Sequence, residues 1–185
     1  MSERTAVFID GGYLDALRNY GFEGKLDYTK LVDHAVGTDN TLLRAYYFTA
    51  LPYQSPQPTE EERNRYAKKD KFLSKIRRLP RFEVRLGKVQ FVNGEYKQKK
   101  VDILLAIELV SLAWKKSIDR AVIIAGDSDF IPAINQAKDA GIVVSLYYIK
   151  GACNNDLLDA VDERTEITPD LLVEPPSVCS TFDDK

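Results

Sequence analysis

Three features of the sequence point to an α/β sandwich around a mainly parallel sheet. Continuous apolar runs at residues 6–9 (AVFI) and 121–125 (AVIIA) have the length of strands but not the alternation of a half-wet one, which suits strands buried on both faces. Between them lie segments with helical spacing and helix-end signals. Both runs stop at glycine and aspartate, in Asp10-Gly11-Gly12 and Gly126-Asp127-Ser128-Asp129, so the chain turns sharply where each strand ends. Strands alternating with helices build a sheet with helices on both faces. Such a sheet takes its ligands beyond the carboxyl ends of its strands, near the point where strand order reverses.

The remaining elements follow in chain order. A short helix is expected from Tyr13 to about Asn19, a second over 28–35, and a second strand over 42–50, which is rich in apolar and aromatic residues. A proline-punctuated loop leads to Thr59, which with Glu60, Glu61 and Glu62 reads as a helix N-cap with acids in the first turn; bases gather where this helix ends near Leu79 and Pro80. Phe82, Val84 and Leu86 alternate with Glu83, Arg85 and Gly87, the pattern of a strand with one wet face. Asn93 and Gly94 then sit between two short extended runs, predicting a β-hairpin insertion near residues 89–97. Residues 101–116 are apolar almost all round, which predicts a well-buried helix. Pro132 in a first turn and Gly141 past an end bracket a helix over 130–140, followed by a strand over 142–149 and a short helix over 155–161. One domain is expected over 1–167, with 168–185 as a flexible tail.

Composition narrows the function. With 185 residues, 44% hydrophobic and 29% charged, the chain is neither disordered nor fibrous. No apolar run reaches the ~18–20 residues that span a bilayer, and the start lacks a secretory pattern, so the expected location is the cytoplasm, with no membrane partner. Two cysteines and one histidine leave no disulfide framework and almost no scope for zinc. The net charge of −2 conceals an asymmetry: residues 63–100 hold fourteen Lys and Arg against three acids, a local +11, leaving −13 elsewhere. That imbalance suggests a polyanionic partner.

Asp10, Asp127 and Asp129 stand at strand ends, and Asp102 opens the long apolar helix. If the first strand and the 121–125 strand are neighbours, the four converge. Packed carboxylates repel one another and raise one another's pKa unless a cation lies among them. Mg²⁺ or Mn²⁺, hard ions that take oxygen ligands, are the expected partners, able to activate water for in-line attack on a phosphodiester. Helix capping is the competing account for Asp102, Ser128 and Asp129 taken singly. Ser128 is expected beside the acids, and Glu108, in mid-helix, is either a further ligand, a supporting base or a partly exposed acid.

The segments VFIDGG, KKVDILLAIELV, AGDSDFIPAINQAKDAG and LLDAVD together resemble the NYN-domain proteins, specifically the bacterial LabA-like group within the PIN-like nuclease superfamily. The resemblance covers most of the chain. It implies a PIN-like three-layer α/β/α sandwich with sheet order 3-2-1-4-5. It also implies a Mg²⁺/Mn²⁺-dependent nuclease, usually acting on RNA rather than DNA, whose catalytic and metal-binding residues are Asp10, Asp102, Asp127 and Asp129. The chain departs from the family pattern at Tyr13, where many members carry Asn, and at Lys100, where many carry Gly. Tyr13 therefore stands where a residue orienting the attacking water is expected.

Arg63, Arg65, Lys68, Lys69, Lys75, Arg77 and Arg78 crowd one helix, and Lys97, Lys99 and Lys100 follow on the hairpin. Such a surface would neutralise backbone phosphates, with Tyr66 and Phe72 placed to stack on bases. The plain alternative is a solvated helix face. Two functions are thus expected: a metal-dependent ribonuclease, or a non-catalytic nucleic-acid- or protein-binding regulatory module that keeps the acidic pocket. A homodimer fits a small domain with a long basic groove.

Overall fold

The computed structural model describes residues 2–16, 20, 26–92, 95–99 and 101–172, with the backbone alone over 88–92, 95–99 and at 172. The first strand, β1 (Arg4–Asp10), is the centre of the molecule: Ala6, Val7, Phe8 and Ile9 are fully buried. Ala6 and Phe8 enter one core and Val7 and Ile9 the other, which is why the run is continuously apolar. On one flank β1 pairs in parallel with β2 (Thr41–Ala50), and β2 with β3 (Phe82–Val92). On the other it pairs with β5 (Arg120–Ile124), then β6 (Val143–Tyr148) and β7 (Glu163–Glu166), all parallel.

Strand order is therefore β3-β2-β1-β5-β6-β7 for the parallel part, with β4 (Glu95–Lys99) added antiparallel beyond β3. The expected 3-2-1-4-5 order holds and gains a sixth parallel strand, β7. Its sequence, ERTE, lacks the apolar content that marks a strand, because it pairs along one side only, at the sheet edge. The β3–β4 pairing runs from Lys88↔Lys99 to Val92↔Glu95, the register of a two-residue hairpin; the turn, Asn93 and Gly94, lies outside the described residues.

Helices α1 (Gly11–Asp15), α2 (Tyr28–Val36) and α3 (Glu60–Ile76) cover one face of the sheet. On the other lie α4 (Val101–Trp114), α5 (Ile131–Asp139) and α6 (Asn155–Ala160). Thr59 starts α3 with a capping box: its Oγ1 accepts the Glu62 N–H at 3.2 Å, and the Glu62 carboxylate accepts the Thr59 N–H at 3.0 Å. Gly141, at φ +82°, ends α5 in the left-handed conformation.

Two expectations need correction. The apolar helix α4 is buried only on its inner side; Ile103, Ile107 and Trp114 are 57%, 60% and 56% exposed. Apolarity all round does not say how many faces are covered. The first residues of the presumed loose tail instead form α7 (Pro169–Leu172), held beside α2 by the Lys30 Nζ donating to the Asp170 carbonyl at 2.5 Å. Residues 173–185 lie outside the described part.

Candidate functional site

Because β1 and β5 are parallel neighbours, they deliver Asp10 and the Asp127 turn to the same end of the sheet. Asp10 caps α1, its Oδ1 accepting the N–H of Gly12 at 2.9 Å and of Tyr13 at 3.3 Å. Burial pushes its carboxyl above the ordinary range; the two backbone bonds oppose this, and the charges of Asp102 and Asp127 add to it. Asp127 precedes a 3-10 turn, Ser128–Phe130, and accepts the Asp129 N–H at 3.0 Å. Asp102, in the first turn of α4, is also raised, first by partial desolvation and then by Asp127 and Asp129. Asp10 thus feels Asp102 and Asp127, and Asp102 feels Asp127 and Asp129, across three chain segments. Capping and clustering are compatible, since a cap bond uses one oxygen of a carboxylate that has two.

A crevice of about 360 Å³ opens here, lined by Asp10 and Asp127 together with Tyr13, Gly126, Ser128, Ala152 and Asn154. Asp102 and Asp129 are exposed beside it and do not line it. Among the described residues, no three His, Cys, Asp or Glu side chains are gathered closely enough to hold a metal ion as they stand. The chemistry of the residues present fits a hard divalent cation: the acids here offer carboxylate oxygens, and both charges acting on Asp102 are negative. Gly126 lines the crevice, Gly11 starts α1 beside it, and neither has room for a side chain. A Cβ on Gly126 would come within 2.3 Å of the Ala152 carbonyl and 2.4 Å of the Tyr13 ring; one on Gly11 would come within 2.7 Å of the Tyr47 ring.

Tyr13 does something the sequence did not reveal. Its hydroxyl accepts the Ile149 N–H at 2.8 Å, bridging α1 to the end of β6 across the mouth of β5. Burial pushes its pKa up to about 12, so the phenol stays neutral. Asn154 was also missed: it caps α6 by accepting the Asp156 N–H at 2.8 Å, while its own N–H donates to the Gly126 carbonyl at 3.1 Å. An asparagine just before a helical segment was the available signal. Glu108 does not line the crevice. It faces β3, where the Arg85 Nη2 lies 3.2 Å away.

Arg63, Arg65, Lys68, Lys75, Arg77 and Arg78 are exposed on and just beyond α3. Lys69 is committed to Asp15 at 2.6 Å, which ties α3 to the end of α1. Phe72 is not available to bases: it packs on Tyr28 and Tyr47, with ring centroids 5.7 and 5.9 Å away. Lys97 and Lys99 fall on one face of β4, and Lys100 lies outside the described residues.

A doubly wound parallel sheet with acids clustered at its switch point defines the PIN-like class of α/β proteins. The NYN domain model matches residues 4–168, and the chain belongs to the NYN-domain family. Proteins of this family are generally nucleases that use divalent metals and act on nucleic acid. An uncharacterized protein of Sinorhizobium fredii, y4oD, is 36% identical over 87 residues, 45% of this chain and 39% of that protein. The chain thus matches well under half the length of this curated relative. The crystal structure of VPA0982 from Vibrio parahaemolyticus, a protein of unknown function, shares the fold with a TM-score of 0.70 at 19% identity, over 93% of this chain and 97% of the other. No helix among the described residues is long and apolar enough to cross a membrane.

Proposed function

We propose that this NYN domain is a Mg²⁺- or Mn²⁺-dependent ribonuclease whose ligands and catalytic residues are Asp10, Asp102, Asp127 and Asp129. One observation carries the reading: the carboxyls of Asp10, largely buried, and of Asp102, partly desolvated, are both raised, and acids distant in sequence add to both shifts. A site that concentrates uncompensated negative charge at the ligand-binding end of a sheet is built for a cation. The ion would supply positive charge against the phosphodiester and make a water acidic enough to attack phosphorus. Around it, the chain's residues have separate tasks. The Gly12 and Tyr13 N–H groups hold the Asp10 carboxylate in one orientation, and the Asp129 N–H does the same for Asp127. Gly126 and Tyr13 set the wall that substrate must pass, and Ser128 and Asn154 offer polar groups along it. The exposed bases at 63, 65, 68, 75, 77 and 78, with Lys97, Lys99 and Lys100, would take the RNA backbone, binding in a salt-dependent way.

The test is labelled single-stranded RNA incubated with purified protein and Mn²⁺, with and without EDTA. Cleavage is expected only with the ion and not in Asp127→Asn. Cleavage that ignores the chelator or survives that substitution refutes the mechanism. A second reading, a non-catalytic binding module, is favoured by Tyr13, whose bond to Ile149 closes ground that a smaller polar residue would leave for water. Salt-dependent RNA binding with no turnover under any divalent ion would select it.

A further inference from the structure

We propose that the outer face of α4 is the two-fold interface of a homodimer, in which α4 of one copy packs antiparallel on α4 of a second copy; this is independent of the reading given above. Ile103, Ile107 and Trp114 are each more than half exposed. On a 3.6-residue helix they fall within about 40° of one another, with Val110 at the margin of the same stripe. Between Asp102 and Lys115 the helix holds one charge, Glu108, and that faces inward to Arg85. A continuous apolar stripe of this kind, left open where the other described helices bury theirs, marks an interaction surface.

Two features select a second copy as the occupant. The stripe positions 103, 107, 110 and 114 are spaced four, three and four, which reads the same from either end. An antiparallel copy therefore sets Trp114 against the partner's Ile103 and lays Ile107 and Val110 between them, the self-matching contact that a two-fold axis requires. The charges agree with that direction. The amino end of α4 carries Asp102 beside Asp127 and Asp129, whereas its carboxyl end carries exposed Lys115. Antiparallel packing lays the basic end of each helix alongside the acidic end of the other and opposes the helix dipoles; parallel packing would juxtapose like ends. A polyanion finds no cation along the stripe. The last described element, α7, lies beside α2, on the other face of the sheet. A fourteen-residue helix is ~21 Å long, so its face falls at the small end of interfaces, below the ~800 Å² per partner of a standard complex. The expected dimer is accordingly one that dissociates on dilution.

Trp114 is the single tryptophan of the chain, so its fluorescence reports this surface alone. Sedimentation velocity of the whole protein over a hundredfold concentration range should show a monomer–dimer equilibrium. Trp emission should shift to longer wavelength over the same range as the dimer dissociates. Ile107→Lys, at a solvent-facing position, should give a monomer at every concentration with unchanged circular dichroism and a water-exposed Trp. A wild-type monomer at the highest concentration overturns the proposal, whatever its Trp emission. So does a dimer that survives Ile107→Lys, or one whose formation leaves the emission unmoved.

Discussion

Replacing Tyr13 by Phe removes one oxygen and tests whether the bridge to Ile149 holds the crevice together. The ring stays, so packing against Gly126 is kept. What is lost is the acceptor of the Ile149 N–H, a 2.8 Å bond at the end of β6. An N–H left without a partner away from water costs about 1–3 kcal/mol. For a domain of this size each kcal/mol moves Tm by ~2–4 °C, so Tyr13→Phe should melt roughly 2–12 °C below wild type. The pH dependence carries a further signature. The folded-state pKa is raised to about 12 from 10, so between those values the folded form holds a proton that the unfolded form has released. The stability this group contributes is complete below pH 10 and declines as pH rises toward 12. Thermal melts followed by far-ultraviolet circular dichroism at pH 7 and pH 9 should give the same gap between the two proteins, and the gap should narrow above pH 10. A variant melting within 1 °C of wild type at pH 7 would show that the bridge contributes nothing.

Asp10→Asn keeps the Oδ1 acceptor for Gly12 and Tyr13 but removes a charge whose folded-state pKa is raised. A raised carboxyl destabilises the fold once pH exceeds the unfolded value, and the penalty grows until the folded value is passed. In EDTA the variant should therefore melt above wild type at pH 7 and converge with it near pH 4, while losing metal-dependent cleavage; a lower Tm at pH 7 would contradict the electrostatic account. Millimolar Mn²⁺ should raise the Tm of wild type by mass action and leave Asp10→Asn nearly unmoved, read by differential scanning calorimetry. Gly126→Ala forces a Cβ against the Ala152 carbonyl and the Tyr13 ring; overpacking of this kind costs ~1–3 kcal/mol, and both Tm and cleavage should fall. Thr59→Ala removes the cap of α3 and should cost about 1 kcal/mol in urea melts, with no change in cleavage.

The parts of the fold legible in the sequence are those where burial leaves a one-dimensional trace. Residues 6–9 and 121–125 are apolar without a break because both faces of β1 and β5 are covered. The Thr59 capping box is local chemistry, readable at three-residue spacing. Where burial is one-sided or the partner is distant, the trace fades. β7 has no apolar residue to announce it, and only pairing with β6 makes it a strand. Phe72 among basic residues resembles a base-stacking aromatic until Tyr28 and Tyr47 are seen beside it. Of the candidate site, Asp10, Asp127 and Asp129 stand out in the sequence as acids at strand ends and Asp102 as the acid that opens an apolar helix. The bond from Ile149 to Tyr13 does not, since it joins residues 136 apart.

The charged character of β7 also governs how this protein meets its neighbours. An uncovered strand margin is a template on which another chain's strand can add, and repeated addition leads to fibres. Here that margin carries Glu163, Arg164 and Glu166, all exposed, and the strand at the far margin, β4, is itself charged in three of its five residues, EYKQK. Lengthening the sheet from copy to copy would bury those charges, so crowding at high concentration should leave the protein dissolved rather than fibrillar.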